Sequence, residues 1–246
     1  MGANAMLHPG HTTTAFDSEL QSLFRMIAEM GGLAERQIEE AVGALISRDQ
    51  ERARQVVAAD MVIDAMQRTI EEHAVQTIAR RQPVAVDLRV LVGILRIANE
   101  LERIGDLAKN IGKRVSALKR ENLPRPPMTG VRHITTLMLE QLRDVLDSFA
   151  NRDVAKALEV WVSDQDVDRL YTSLFRQLLT CMIEDPATAM FGVHLVFCTK
   201  NIERMGDHAT NIAEAVHYMV KGQALQQERP KADLTTVRAI AMTMQA

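Results

Sequence analysis

Cysteine is scarce in this chain, with only Cys181 and Cys198 among 246 residues. Two thiols in apolar surroundings make neither a disulfide framework nor a structural zinc site. Aromatic residues are also few, at 4%, against 47% hydrophobic residues overall. An interior built from Leu, Ile, Val, Ala and Met favours helix-on-helix packing over sheets. There is no excess of positive charge, since the net charge is −3. That argues against a nucleic-acid binder, which needs a basic surface to displace counterions. No run approaches the roughly 18 uncharged apolar residues of a membrane span, and no signal peptide is visible, so a cytoplasmic protein is expected. The chain also lacks a Gly-x-Ser-x-Gly elbow and a Gly-x-x-x-x-Gly-Lys-Ser/Thr loop, which leaves nucleophilic catalysis and nucleotide hydrolysis by that loop without support.

What the chain does have is a repeat. Leu101-Glu102-Arg103-Ile104-Gly105-Asp106 returns as Ile202-Glu203-Arg204-Met205-Gly206-Asp207, and each copy runs on to an Asn-Ile pair at Asn110 and Asn211. A long repeat at a fixed offset sets the architecture before anything else. Helical periodicity is nearly continuous from Phe16, with Asp17 or Ser18 as the first cap, and it breaks at a few places. These are Asp49, Gln82-Pro83, the proline-rich stretch 122–127, a turn before residue 153, and Asp185-Pro186. Gly31 and Gly32 fall inside the first helix, where each costs about 1 kcal/mol relative to Ala. The expected fold class is all-α, with two tandem antiparallel three-helix bundles related by a pseudo-twofold repeat. Residues 15–121 form the first bundle, 128–221 the second, and 222–246 a polar, mobile tail in which 234–244 has room for one short helix. Residues 1–14 read as a disordered leader.

The chemistry lies in acidic stripes. Ile97, Leu101, Ile104, Ala108, Ile111, Val115 and Leu118 form an apolar seam, repeated at Cys198, Ile202, Met205, Ala209, Ile212, Val216 and Met219. Glu102, Asp106 and Asn110 step by four along a face rotated from that seam, as do Glu203, Asp207 and Asn211. Periodicity therefore predicts that these carboxylates face outward. Asp60 and Asp64 on the second helix, and Asp164 and Asp168 on the fifth, make matching pairs. Like charges one turn apart cost a few tenths of a kcal/mol each unless a cation neutralises them. Oxygen donors without Cys or regular His partners suit iron, manganese, magnesium or calcium better than structural zinc. The plainer readings are a solvated acidic face or surface ion pairs with Arg103 and Arg204. Gly105 and Gly206 either let helices approach closely or leave room beside the carboxylates.

The two signature segments resemble those of the PhoU family, and the likeness extends to Phe16-Asp17-Ser18-Glu19-Leu20, Met30-Gly31-Gly32-Leu33 and Pro83-Val84-Ala85-Val86-Asp87-Leu88-Arg89. The resemblance implies two three-helix bundles and no enzymatic activity. It also implies a negative regulator of the phosphate-starvation response that links the ATPase subunit of a phosphate ABC transporter to a sensor histidine kinase. By the same resemblance Glu102, Asp106, Glu203 and Asp207 are expected metal ligands, with Asp60, Asp64, Asp164 and Asp168 accessory to them. Asn110 and Asn211 are expected to orient that shell, and iron, zinc or manganese are the expected ions. The Asp87-Leu88-Arg89 segment has no counterpart after Pro186, so the two halves are not expected to meet a partner identically. A homodimer is expected on the commonness of twofold assemblies.

Two rival functions remain. A di-iron carboxylate protein needs inward ligands and two Glu-x-x-His motifs, whereas this chain has one such spacing, Glu214 to His217, whose first-half counterparts are Lys113 and Ser116. A metal-free helical scaffold would use the acidic stripes to bind basic surfaces of partners, where complementarity supplies orientation and association rate.

Overall fold

The computed structural model describes residues 9–118, 128–226, 229 and 232, with side chains from residue 14 onward. Six long helices carry the chain: α1 (Pro9–Ser47), α2 (Gln50–Arg81), α3 (Ala85–Ala117), α4 (Thr129–Asn151), α5 (Val154–Glu184) and α6 (Ala189–Lys221). A 3-10 turn, Pro186–Thr188, leads into α6. The first three helices pack on one another, as do the last three, so the fold is the expected pair of three-helix bundles.

The turns repeat as faithfully as the helices. Arg48 and Arg152 take left-handed conformations (φ 56° and 53°) at the ends of α1 and α4. Asp49 and Asp153 then cap the next helix, accepting hydrogen bonds from Glu51 N (2.9 Å) and Arg52 N (3.0 Å) in one half and Ala155 N (2.9 Å) and Lys156 N (3.1 Å) in the other. Each cap contributes about 1 kcal/mol by satisfying amides that have no partner within the helix.

Helix α1 starts at Pro9 rather than at Asp17, so residues 9–14 belong to a helix and not to a leader. Proline suits a first turn, because its missing N–H has no helical acceptor to lose. Residues 1–8, the 122–127 stretch and the 234–244 segment lie outside the described residues. Helix α1 runs unbroken through Gly31-Gly32, as expected. A Cβ on Gly31 would lie 2.5 Å from Leu146 Cδ1, so the glycine lets α4 come close against α1.

Both seams are buried, and the buried apolar residues of the two halves form one continuous core. The bundles meet chiefly along α3 and α6, with a smaller contact between α1 and α4. Phe24 stacks on Phe149 with ring centroids 4.6 Å apart. Arg143 of α4 reaches Glu35 (2.7 Å) and Glu39 (3.0 Å) of α1. Glu100 of α3 accepts hydrogen bonds from Asn211 Nδ2 (2.9 Å) and pairs with His208 Nδ1 (2.7 Å) of α6.

Candidate functional site: two carboxylate clusters, each closed by a cation

The eight candidate carboxylates gather into two clusters, one between α2 and α3 and one between α5 and α6. They do not uniformly face outward. The side chains of Asp60, Asp164 and Glu203 are 4%, 1% and 5% exposed, and Asp168 is buried with them. Asp64, Glu102, Asp106 and Asp207 are half-buried, and Asn110 and Asn211 are exposed. The outward reading fails because α3 and α6 each pack against several helices. A helix with neighbours on more than one side buries a wide arc, so positions one step off the seam fall into the crevice beside the next helix.

In the first cluster Lys109 bonds to Asp60, and its Nζ lies 2.5 Å from Asp106 Oδ1. Gln37 Nε2 donates to Asp60 Oδ1 at 3.3 Å. Arg103 lies 3.5 Å from Glu102 and 3.8 Å from Asp106. Burial opposes the Lys109 charge, but the carboxylates of Asp106 and Asp60 outweigh it and raise its pKa. Glu102, with fewer partners, has its pKa raised by burial and by neighbouring Asp106.

The second cluster lacks this lysine, since the residue in the corresponding place is Thr210, whose hydroxyl donates to Asp207 O at 2.7 Å. A residue from beyond α6 takes over. Arg229 bonds to Asp164, lies 2.6 Å from Asp207 Oδ1, and is itself largely buried. Ala232 N donates to Asp168 Oδ2 at 2.8 Å. The tail is therefore anchored at Arg229 and Ala232, which corrects the expectation of a wholly mobile segment.

The second cluster is also less fully satisfied. Asp164 Oδ1, Glu203 Oε2 and both amide atoms of Gln141 are buried without a hydrogen-bond partner among the described residues. Burial raises the Asp164 carboxyl pKa despite Arg229. It pushes Glu203 up to about 7, even though Lys200 Nζ stands 2.7 Å from Glu203 Oε1. Gly206 makes this arrangement possible, because a Cβ there would lie 2.8 Å from Asp164 Oδ1 and 3.2 Å from Gln141 Oε1. At Gly105 the nearest atom is Ile63 Cδ1, at 3.1 Å. The first glycine thus serves helix approach, and the second also makes room for a carboxylate.

The Asn pair does not orient the acidic shell as expected. Asn211 donates to Glu100 across the bundle interface, and Asn110 borders a separate groove. Lys109 and Arg229 are the site residues that sequence reasoning missed. Lys109 stands three residues after Asp106, a spacing that signals an ion pair. For Arg229, 22 residues beyond Asp207, no local pattern gives a signal.

The donors are oxygen only, the right kind for a hard ion, but their positions are already taken by an ammonium and a guanidinium. Among the described residues no three His, Cys, Asp or Glu side chains stand arranged to hold a metal ion. As it stands, each cluster is a partly buried carboxylate site whose charge is offset in part from within the chain. Among the described residues no helix is long and apolar enough to cross a membrane.

The PhoU domain matches residues 27–115 and 131–216, one match per bundle. The chain is 50% identical over 226 residues to a phosphate-specific transport system accessory protein PhoU homolog of Rhizobium meliloti, covering 92% of this chain and 95% of that one. It is 43% identical to the homolog of the same description from Caulobacter vibrioides, over 91% of this chain and 97% of that one. The crystal structure of PhoU from Pseudomonas aeruginosa superposes with a TM-score of 0.79 at 41% identity, over 85% of this chain and all of that one. The phosphate transport system regulatory protein PhoU from Streptococcus pneumoniae gives 0.78 at 27% identity, over 86% and 100%. With both bundles matched and half the residues shared across nearly the full length of a relative, this chain belongs to the PhoU family.

Proposed function

We propose that this chain is a non-enzymatic accessory regulator of a phosphate-specific transport system, which holds the phosphate-starvation response down when phosphate is plentiful. The observation that carries this reading is the 50% identity to a phosphate-specific transport accessory protein over 92% of the chain. In this reading the protein works in the cytoplasm as a homodimer and reaches the membrane only through its partners. One partner is the ATPase subunit of the phosphate ABC transporter and the other a sensor histidine kinase. Exposed apolar side chains at the bundle ends support a docking role. Val84 and Val86 stand at the start of α3, and Ile183 and Met190 flank the α5–α6 turn.

The acidic clusters are, in this reading, sites where an external cation competes with the chain's own. Asp60, Asp64, Glu102 and Asp106 would hold iron, manganese or zinc in the first half, and Asp164, Asp168, Glu203 and Asp207 in the second. Lys109 and Arg229 must leave for that to happen. The buried, unpartnered oxygens of Asp164 and Glu203 support this for the second cluster, because such oxygens carry a desolvation cost that an ion would remove. Elemental analysis of chelator-free protein beside Asp106→Ala/Asp207→Ala checks it. Stoichiometric metal that the double variant loses is expected, and metal-free wild type would leave the clusters as internal ion pairs.

Co-purification tests the adaptor role. Tagged chain expressed with its cognate transporter ATPase subunit and histidine kinase is expected to retain both, and recovery of neither would refute it.

A further inference from the structure

A different groove, bordered only by α3 and α6, carries the opposite charge. It encloses about 660 Å³ and has no Asp or Glu among its lining residues. Lys113, Arg114 and Arg204 line it, together with His194, Phe197 and the Asn110 amide. Lys200 also borders it, with its Nζ 2.7 Å from Glu203 Oε1. The other three basic side chains make no ion pair among the described residues. Arg114 lies over the Phe197 ring at 4.0 Å. His194 Nδ1 is buried on the same wall without a hydrogen-bond partner.

This charge is not a product of the duplication. The repeat-related groove is smaller, about 270 Å³, and is lined by Arg96, Glu100, Glu214 and Tyr218. Lys113 thus stands where the other half has Glu214, Arg114 where it has Ala215, and Asn201 where it has Glu100. Even the shared arginine differs in use. Arg103 is paired with Glu102 and Asp106, whereas Asp207, the acid three residues after Arg204, is held by Arg229. Gathering uncompensated cations in one groove, on a chain of net charge −3, costs Coulomb energy that an anion would recover.

We propose that this groove binds an anion carrying a chain of two or more phosphoryl groups. Guanidinium forks match phosphoryl oxygens in two-pronged hydrogen bonds. Arg114 sits at Phe197, and Arg204 lies seven residues further along α6, about 10 Å of helix. A phosphoryl chain can engage the two guanidiniums along that length, whereas a single phosphate would have to draw both side chains to one point. An acidic protein segment fits less well, since tight protein contacts need an apolar anchor and the Phe197 face is already covered by Arg114. The site shares Lys200 with the second carboxylate cluster and does not rest on the adaptor role.

Titration calorimetry of the full chain with inorganic tripolyphosphate, ATP, orthophosphate and hexaglutamate tests it. Tripolyphosphate is expected to bind one to one, more weakly at 150 mM salt than at low salt. Arg114→Gln and Arg204→Gln should each weaken it by about tenfold or more, and Glu214→Gln in the related groove should leave it unchanged. Lys113→Gln, at an exposed position, supplies a further variant if Arg114→Gln does not fold. Equal affinity for ATP and tripolyphosphate identifies the phosphoryl chain alone as the ligand, and tighter binding of ATP identifies a nucleotide. The proposal is overturned by absent saturable binding, by affinity untouched in both arginine variants, by orthophosphate matching tripolyphosphate, or by hexaglutamate binding in its place.

Discussion

Glu203→Gln should remove a pH dependence that the wild type carries. The Glu203 carboxyl is buried beside Lys200, and burial lifts its pKa from the ordinary 4.5 to about 7. A raised acid binds more protons folded than unfolded between those two values, so the stability it contributes is present at acid pH and is lost as pH rises toward 7. The shift corresponds to about 3 kcal/mol at 1.36 kcal/mol per pKa unit. Glutamine keeps the shape and an acceptor for Lys200 but has no proton to lose. Denaturant unfolding of both proteins from pH 4.5 to 8 gives the difference in stability directly, and the slopes from all other groups cancel in it. The variant should gain on the wild type by about 3 kcal/mol across that range. A difference that stays flat with pH would show that Glu203 ionises normally and that its burial costs nothing.

Other expectations concern the internal cations and the glycines. Arg229→Met strands the buried Asp164 carboxylate and should cost about 3 kcal/mol, with most of the loss recovered in Arg229→Met/Asp164→Asn; equal stability of the single variant and wild type in thermal melts would refute the pairing. Lys109→Met should cost about 2 kcal/mol through Asp60 in the same assay, less than Arg229→Met because Gln37 still donates to Asp60. Gly32→Ala, with nothing within 4 Å of the added carbon, should stabilise α1 by about 1 kcal/mol. Gly206→Ala drives a methyl to 2.8 Å from Asp164 Oδ1 and should destabilise by about 2 kcal/mol. The opposite signs are the check, read by urea unfolding.

The helices and their pairing were legible because they rest on local signals. The apolar seams have the helical period, Asp49 and Asp153 are strong caps, and the prolines at 83 and 186 stop α2 and α5 where expected. The carboxylate clusters were legible as a set of residues, since the repeat marks them twice. Their burial was not, because a single helix shows its seam but not how many neighbours widen the buried arc. Lys109 was within reach of a spacing argument. Arg229 was not, because its contact with Asp164 spans 65 residues and substitutes for a lysine that the second repeat lacks. The basic groove was hidden for a similar reason, with its cations divided between two helices some ninety residues apart and diluted in an acidic chain.

The regulatory claim is tested most directly by a reporter of phosphate-starvation transcription, in a bacterium whose own PhoU-family gene has been deleted and replaced by this one. The account predicts that the reporter, high in the deletion strain even in abundant phosphate, returns to its repressed level when this chain is expressed. It also predicts that the reporter is released again when phosphate is withdrawn. A reporter that stays high at normal levels of folded protein would contradict the account.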